Sequence, residues 1–299
     1  MTSTTRRRVV IIGAGPSGLS AATELRRLGV ERVMVYEREQ QAGGVPRHTG
    51  HLGFGIRDLH RVTSGPRYAR ALTERATAAG VELRLSKAVF SLDDIDADAI
   101  VLATGARERP RAARLVPGDR PVGILTTGSL QQLAMKGQHV GARAVIVGAE
   151  HVSFSAILTL AHVGCRAVAM VTPLPRHQSY GVLKLAAATV RRVPVLTGVD
   201  IAEITGHRRV DSVVLTDGRR IECDTVVFTG SWIPDHELAR RSGLTMDPAI
   251  KGPAVDDSFR TSRENVFAIG NLVHSVAAAD RCALDGRAVA AVVARQLRD

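Results

Sequence analysis

The sequence predicts an α/β protein with two domains, the second inserted in the first. Three observations support this prediction: a strand, glycine loop, helix and strand at residues 9–36, a second copy of that pattern at 143–171, and a strand and helix near the carboxyl terminus. We therefore predict that residues 1–112 and 254–299 form the first domain and that residues 113–253 form the second.

The first pattern begins with Val9–Ile12, a β-branched run that is typical of a buried parallel strand. A glycine-rich loop follows, then a helix from Leu19 to Leu28 that Gly29 ends, then a strand from Arg32 to Tyr36. The rest of this part is predicted as a helix at 66–79 and strands at 81–85, 88–92 and 99–103.

The second pattern follows a Pro- and Arg-rich connector at 107–121. It consists of a strand at 143–147, Gly148, a helix through about Val163 and a strand at 167–171. Residues 199–229 alternate as strands, with Asp217-Gly218 as a hairpin turn. A strand at 266–269 and a helix at 277–297 then complete the first domain.

The net charge of +11 indicates a solvated basic surface more than a nucleic-acid face. The 40 basic residues are scattered, no basic block is longer than Arg6–Arg8, and aromatic residues make up only 3% of the chain. No apolar run reaches the roughly 20 residues that a membrane span needs. We predict neither a nucleic-acid partner nor a membrane, and a cytoplasmic location.

The cysteines offer no metal site. Cys165, Cys223 and Cys282 form no C-x-x-C pair and have no metal-ligand spacing, and an odd count suits a reducing compartment. We predict that no metal is bound.

The loop Gly13–Gly18 predicts a dinucleotide site. Gly13 permits the tight turn, Gly15 lets the backbone approach a pyrophosphate, and Gly18 permits close packing of helix on strand. The helix amino terminus offers N–H groups and a positive dipole end to the phosphates, and Glu37 ends the second strand, where a carboxylate accepts hydrogen bonds from a ribose. The predicted contacts include the other loop residues and the residue after the acid: Ala14, Pro16, Ser17 and Arg38.

Two further strand ends favour FAD over NAD in this domain. Ala103-Thr104-Gly105 ends an apolar strand, and the last strand closes on Gly270-Asn271. Together with the first loop they resemble the pyridine nucleotide-disulfide oxidoreductase superfamily, which has two Rossmann-like, three-layer ββα dinucleotide-binding domains. The resemblance implies non-covalent FAD, with Asn271 in place of the family's aspartate on the ribityl chain. It also implies cofactor contacts at Gly44, Val45, Ala88, Val89 and Ala279.

Three segments resemble a narrower subgroup: Gly43–Gly55, Ala106–Arg111 and Arg120–Ile124. The subgroup contains FAD/NAD(P) oxidoreductases that accompany glycerol-3-phosphate dehydrogenases, and the flavin subunits of opine oxidases and hydrogen cyanide synthases. Relatives often carry cysteine where this chain has Thr49, so His51 and His48 are the predicted acid–base residues near the flavin. Thr126–Ser129 stands where small disulfide reductases carry their thiols, so we expect no disulfide reductase activity.

The second glycine motif is degraded. The stretch Gly148–Ser153 keeps only its first glycine, and Glu150 brings bulk and negative charge to the position where a backbone approaches a pyrophosphate. Thr172 leaves an NAD ribose without an acid, whereas Arg166 and Arg176 are either contacts for a 2′-phosphate or solvated surface residues. Binding of NAD(P)H therefore stays open, and we predict that NADH reduces the flavin poorly.

The leading functional prediction is an FAD-dependent oxidoreductase that acts on a small molecule. One version is the flavin subunit of an amine, opine or polyol-phosphate dehydrogenase system, whose partner is a second oxidoreductase subunit. The alternatives are a stand-alone NAD(P)H-dependent reductase of a small acceptor, and a flavin-containing partner subunit with little activity of its own. The substrate, the electron acceptor and a homodimeric state stay open.

Overall fold

The computed structural model describes residues 7–178, 192–274 and 276–298. The chain forms two compact units, unit 1 from the described residues of 1–47, 52–107 and 232–299, and unit 2 from those of 48–51 and 108–231. Apart from the short stretch 48–51, the chain enters unit 2 at Glu108 and returns to unit 1 at Trp232, whereas the predicted bounds were 113 and 254. The return comes early because Ala239 and Leu244 pack in an apolar core of unit 1.

The secondary structure alternates along both units. The strands are β1 (Arg8–Ile12), β2 (Arg32–Tyr36), β3 (Leu52–Phe54), β4 (Thr63–Ser64), β5 (Glu82–Arg84), β6 (Ala99–Leu102), β7 (Ala106–Glu108), β8 (Ile124–Thr126), β9 (Arg143–Val147), β10 (Arg166–Thr172), β11 (Val195–Thr197), β12 (Ile201–Thr205), β13 (Ser212–Leu215), β14 (Arg220–Glu222), β15 (Thr225–Phe228), β16 (Trp232–Pro234) and β17 (Val266–Ala268). The helices are α1 (Pro16–Arg27), α2 (Gly65–Ala78), α3 (Thr127–Met135), α4 (His151–His162), α5 (Glu237–Arg241) and α6 (Ala279–Gln296). Short 3-10 helices lie at Val45–His48, Arg111–Arg114 and Gly270–Leu272.

Each unit contains a five-stranded parallel sheet. The strand order is β17-β6-β1-β2-β5 in unit 1 and β8-β15-β9-β10-β11 in unit 2. The two orders match strand for strand, so β1 corresponds to β9, β2 to β10 and β6 to β15. Unit 2 also carries the antiparallel sheet β12-β13-β14. The predicted α/β class with Rossmann-like domains is confirmed.

The central strands are buried because helices or loops cover both faces of each parallel sheet. Val9, Val10 and Ile11 of β1 are completely buried. On one face, α1 packs closely against α6, and a Cβ at Gly286 would lie 2.2 Å from the carbonyl oxygen of Ser17. This glycine therefore lets α6 approach the helix that begins at the first glycine loop.

The structure differs from the sequence predictions at residues 88–92 and at α3. Residues 88–92 form no strand, because the chain turns after β5 and the N–H of Lys87 donates to the carbonyl of Glu37 at 2.8 Å. Helix α3 was not predicted, and its start is capped by the Thr126 hydroxyl, which accepts from the N–H of Ser129. None of the helices in the described residues is long and apolar enough to cross a membrane.

Candidate functional site

The predicted cofactor residues of unit 1 meet at one edge of its sheet. The loop Gly13–Gly18 follows β1, Glu37 follows β2, Ala103–Gly105 follows β6 and Gly270-Asn271 follows β17. Because all these strands are parallel neighbours, their carboxyl ends share an edge, which is where open α/β sheets bind ligands.

The glycines of the first loop are needed for close approach of backbone to backbone. Gly13 has a φ of +106°, and a Cβ there would lie 2.4 Å from the carbonyl oxygen of Ala103. A Cβ at Gly18 would lie 1.9 Å from the carbonyl oxygen of Gly13. Gly15 is different, because a Cβ there meets no atom within 4 Å. The glycine at 15 therefore leaves open space at the amino terminus of α1, where a phosphate group fits.

Glu37 is held beside this loop. Its carboxylate accepts hydrogen bonds from the N–H groups of Ala14 at 2.8 Å and of Glu39 at 2.9 Å. The side chain is only 9% exposed, and the N–H of Lys87 binds its carbonyl oxygen. The acid is thus fixed at the edge of the sheet, where ribose hydroxyl groups would donate hydrogen bonds to it.

The segment after β2 crosses the glycine loop. The N–H of Gly43 donates to the carbonyl of Ala14 at 2.7 Å, and a Cβ at Gly44 would lie 2.9 Å from Cα of Gly15. Val45 follows with 62% of its surface exposed. Glycine at position 44, with a φ of +62°, is therefore what lets the chain pass over the loop without covering the open space at Gly15.

The strand ends after β6 and β17 lie beside the first glycine loop. Gly105 has a φ of +76° and open space around its missing Cβ, and the hydroxyl of Thr104 donates to the carbonyl of Asp235 at 2.8 Å. Gly270 packs on α1, since a Cβ there would lie 2.8 Å from Oγ of Ser17. The amide of Asn271 binds the backbone of Ala277, accepting from its N–H at 2.8 Å and donating to its carbonyl at 3.3 Å. Asn271 therefore ties the strand end to the entry of α6.

Other predicted contacts lie around this edge. Ala88 is exposed, and Val89 is half-buried against an apolar core of unit 1. Ala279 is the first residue of α6, and its carbonyl accepts from the Tyr68 hydroxyl at 3.3 Å. Arg38 forms an ion pair at 2.8 Å with a residue that the sequence analysis missed, Asp235.

Asp235 organises one side of this edge. Its carboxylate pairs with Arg38 at 2.8 Å and with Arg107 at 2.9 Å, while its backbone holds Thr104 and Gly105. Burial raises the pKa of Asp235, and the positive charge of Arg38 lowers it. No local pattern indicates this role, because Asp235 is distant in the chain from the residues it holds.

The predicted acid–base residues lie in unit 2, because the short stretch 48–51 belongs to that unit although it was predicted within the FAD domain. Nε2 of His51 lies 2.6 Å from Oγ of Ser155 in α4, and the Thr49 hydroxyl donates to Oε1 of Gln131 in α3 at 3.3 Å. His48 ends the 3-10 helix Val45–His48. Their roles in catalysis stay predictions.

The second glycine loop has a different chemistry. The carboxylate of Glu150 accepts from the N–H of Ala149 at 2.9 Å and from the N–H of Ser153, while the Ser153 hydroxyl accepts from the N–H of Glu150 at 3.2 Å. This reciprocal pair is a capping box at the start of α4. The N–H groups of Ala149, Glu150 and Ser153 are therefore bonded within the chain, and the carboxylate of Glu150 makes the loop a poor fit for a pyrophosphate.

Of the two arginines proposed as contacts for a 2′-phosphate, Arg166 lies at the start of β10 and Arg176 lies after its end. Arg166 begins β10, at the opposite end of that strand from the glycine loop, because β9 and β10 are parallel. Arg176 follows β10 and is exposed. Arg166 is thus excluded as a contact at this loop. No group of three potential metal-binding side chains occurs among the residues that the structure describes.

Comparisons with known proteins cover nearly the whole chain. A family model described as pyridine nucleotide-disulphide oxidoreductase matches residues 7–294. The ferredoxin reductase component of chlorobenzene dioxygenase from Cupriavidus sp. (strain PS12) is 28% identical over 88% of this chain and 66% of its own length. An opine oxidase subunit from Agrobacterium tumefaciens (strain Ach5) is 24% identical over 97% of this chain and 66% of its own length. The chain thus spans about 66% of the length of these two relatives.

Two further matches are thioredoxin reductases. The enzyme from Treponema pallidum (strain Nichols) is 25% identical over 88% of each chain. The crystal structure of T. acidophilum thioredoxin reductase superposes with a TM-score of 0.83 at 22% identity, over 98% of this chain and 100% of that one. This structural similarity supports the fold.

Proposed function

Because the chain belongs to the pyridine nucleotide-disulphide oxidoreductase family, whose members bind FAD and NAD(P)H, we propose that it is an FAD-dependent reductase of a small acceptor or a redox partner. The observation that carries the proposal is the glycine loop of unit 1, where Gly15 leaves open space at the start of α1. Flavin bound there would supply hydride or electron transfer.

The residues of unit 1 have separate tasks toward the cofactor. Gly13 and Gly18 shape the loop, and the backbone at the start of α1 donates to the pyrophosphate. Glu37 receives the ribose hydroxyl groups, and Asn271 lies where the ribityl chain is expected. These roles are proposed from the positions of the residues, and each can be tested by substituting the residue.

The relatives favour a reductase over the flavin subunit of a dehydrogenase. Several carry the name of a ferredoxin reductase, including the components of chlorobenzene and benzene dioxygenase systems. Their names support a protein electron acceptor for this chain as well. A flavin subunit of an opine-type dehydrogenase remains the second candidate, because the opine oxidase subunit matches over 97% of the chain.

We place thiol–disulfide exchange outside the proposed function, although thioredoxin reductases are among the relatives. The support comes from the thiols themselves, which are free and buried. Burial raises the pKa of each to about 12, so they are protonated at neutral pH and react poorly as nucleophiles: Cys165, Cys223 and Cys282.

The proposal is tested by identifying the bound flavin. We expect a yellow protein that releases FAD on heating, as measured by absorbance and chromatography. Gly15→Val should fold and yet lose the flavin, because Gly15 has a φ of −80° that any residue adopts, and the new side chain points into open space. Ala78→Val, at an exposed position at the end of α2, is the matched control that should keep the flavin.

Two results would contradict the proposal. One is a wild-type protein that releases FMN or no flavin. The other is a folded Gly15→Val protein with a full complement of FAD, since that would show that the loop does not hold the pyrophosphate. Thermal unfolding of both variants shows whether they are folded.

A further inference from the structure

The two units contain the same loop in the same place of the same sheet, so unit 1 serves as a reference for unit 2. The N–H of Gly13 donates to the carbonyl of Tyr36 at 2.8 Å, and the N–H of Gly148 donates to that of Val171 at 2.8 Å. Both glycines have positive φ, +106° and +135°. Position by position, Glu150 therefore corresponds to Gly15.

The space that is open in unit 1 is filled in unit 2. A Cβ at Gly15 or at Gly105 meets nothing within 4 Å. In unit 2, Gly230 lies just after the end of β15, and a Cβ at Gly230 would lie 2.2 Å from Oε1 of Glu150. A Cβ at Gly148 would lie 2.9 Å from Oε2. The carboxylate thus occupies the volume that these two glycines leave free.

The donors of the loop are also used. In unit 1 the N–H of Ala14 binds the acid at the end of β2, whereas in unit 2 the equivalent N–H of Ala149 binds Glu150 itself. The position of Glu37 is taken by Thr172, which is buried and whose hydroxyl accepts from the N–H of Leu174 at 3.4 Å. Unit 2 therefore offers a ribose no carboxylate at this strand end.

A second carboxyl group, that of Glu108, lies near Glu150. Burial raises the pKa of Glu108, and the negative charge of Glu150 raises it further. The N–H of Gly128 donates to the Glu108 carboxylate at 2.9 Å and lowers this pKa. The nearby Arg114 guanidinium donates to the carbonyls of Thr229 and Gly230 at 2.8 and 2.9 Å. A pyrophosphate brought to this loop would meet a carboxylate at contact distance while this arginine binds backbone oxygens.

We infer that unit 2 binds neither NADH nor NADPH, because the carboxylate of Glu150 occupies the place of the pyrophosphate. The inference rests on the proposed function and narrows it, since the nicotinamide nucleotides are removed from the possible reductants of the flavin. Because one side chain, Glu150, blocks the pyrophosphate position, a single substitution should restore nucleotide binding at this loop.

Isothermal titration calorimetry of the whole, flavin-containing protein with NADPH and NADH tests this directly. We expect no saturable binding by the wild type, meaning a Kd above about 1 mM. Glu150→Gly should bind at least about tenfold more tightly, because it removes the charge and frees the loop N–H groups. Glu150→Gln keeps the bulk and the cap but not the charge, and should gain less.

Glu222→Gln is the matched control, because Glu222 is an exposed carboxylate on β14 of the same unit, 78% exposed in its side chain. Saturable micromolar binding by the wild type would overturn the inference. So would a gain by Glu222→Gln equal to that of Glu150→Gln, or no gain in a folded Glu150→Gly protein. If Glu150→Gly fails to fold, the capped Glu150→Gln variant decides. The flavin content of the same wild-type sample reports separately on the proposed function.

Discussion

Tyr68 joins three parts of unit 1, and its hydroxyl is the subject of our most quantitative prediction. The side chain lies on α2 and is completely buried. Its hydroxyl lies within donating distance of two acceptors, Oδ2 of Asp58 at 2.7 Å and the carbonyl of Ala279 at 3.3 Å. Burial, and next the hydrogen bond to Asp58, raise the pKa of Tyr68 far above its usual value, so the hydroxyl stays a donor. Asp58 is only 3% exposed, and its Oδ1 has no hydrogen bond within the described chain.

Tyr68→Phe removes this donor without changing the shape of the ring. A hydrogen bond to a charged group contributes about 1.5–3 kcal/mol, and we use the upper part of that range because both Tyr68 and Asp58 are buried. We expect the free energy of unfolding to fall by about 2–3 kcal/mol and Tm by about 4–12 °C. Because Ala279 begins α6, we also expect weaker retention of FAD.

Thermal unfolding followed by circular dichroism measures the first effect, and flavin fluorescence measures the second. Tyr36→Phe is the control, because no described residue forms a hydrogen bond with the Tyr36 hydroxyl. Asp58→Asn should soften the loss when combined with Tyr68→Phe, since it removes the buried charge. A Tyr68→Phe protein as stable as Tyr36→Phe would refute the argument.

Three more predictions concern unit 2 and the thiols. The pKa of Glu108 is raised by burial, so the wild type should lose stability as pH rises above about 4.5, and Glu108→Gln should flatten that dependence in denaturant titrations. A flat wild-type profile would contradict this. The thiols should react slowly with Ellman's reagent in the native protein and at once after denaturation: Cys165, Cys223 and Cys282. Fast native reaction would show that a thiol is accessible. His51→Ala should keep FAD and slow turnover at least about tenfold, and Ser155→Ala should cause part of the same loss. Weaker flavin retention or a lower Tm in His51→Ala would indicate that His51 only holds its loop.

The sequence predicted the fold best at the glycine loop and the strand ends of unit 1, where the residues of the candidate site also form a local pattern. The loop Gly13–Gly18 was predicted after the first strand and Glu37 at the end of the second, and both lie there, because strand ends and glycines carry strong local signals. The strand predicted at 88–92 failed because its apolar residues pack as irregular chain beside Glu37. Short apolar runs of this kind do not distinguish a strand from a packed loop.

Long-range packing was beyond the sequence. Nothing local indicates that His51 lies against Ser155, 104 residues away in the chain, or that Asp235 holds Arg38 and Thr104. The charge and bulk of Glu150 were apparent from the sequence, whereas the return of its carboxylate onto its own loop depends on Gly230, which arrives from a distant strand.

The insertion of unit 2 in unit 1 has a consequence for synthesis on the ribosome. Every residue of unit 2 has been made once residue 231 emerges, whereas β6 still lacks its neighbour β17, which pairs with it from Val266 to Ala268. The edge of β6 stays unpaired, and α6 is not yet there to pack on α1. The nascent chain can therefore finish its inserted unit first, while unit 1, where we propose the flavin site, waits for β17 and α6.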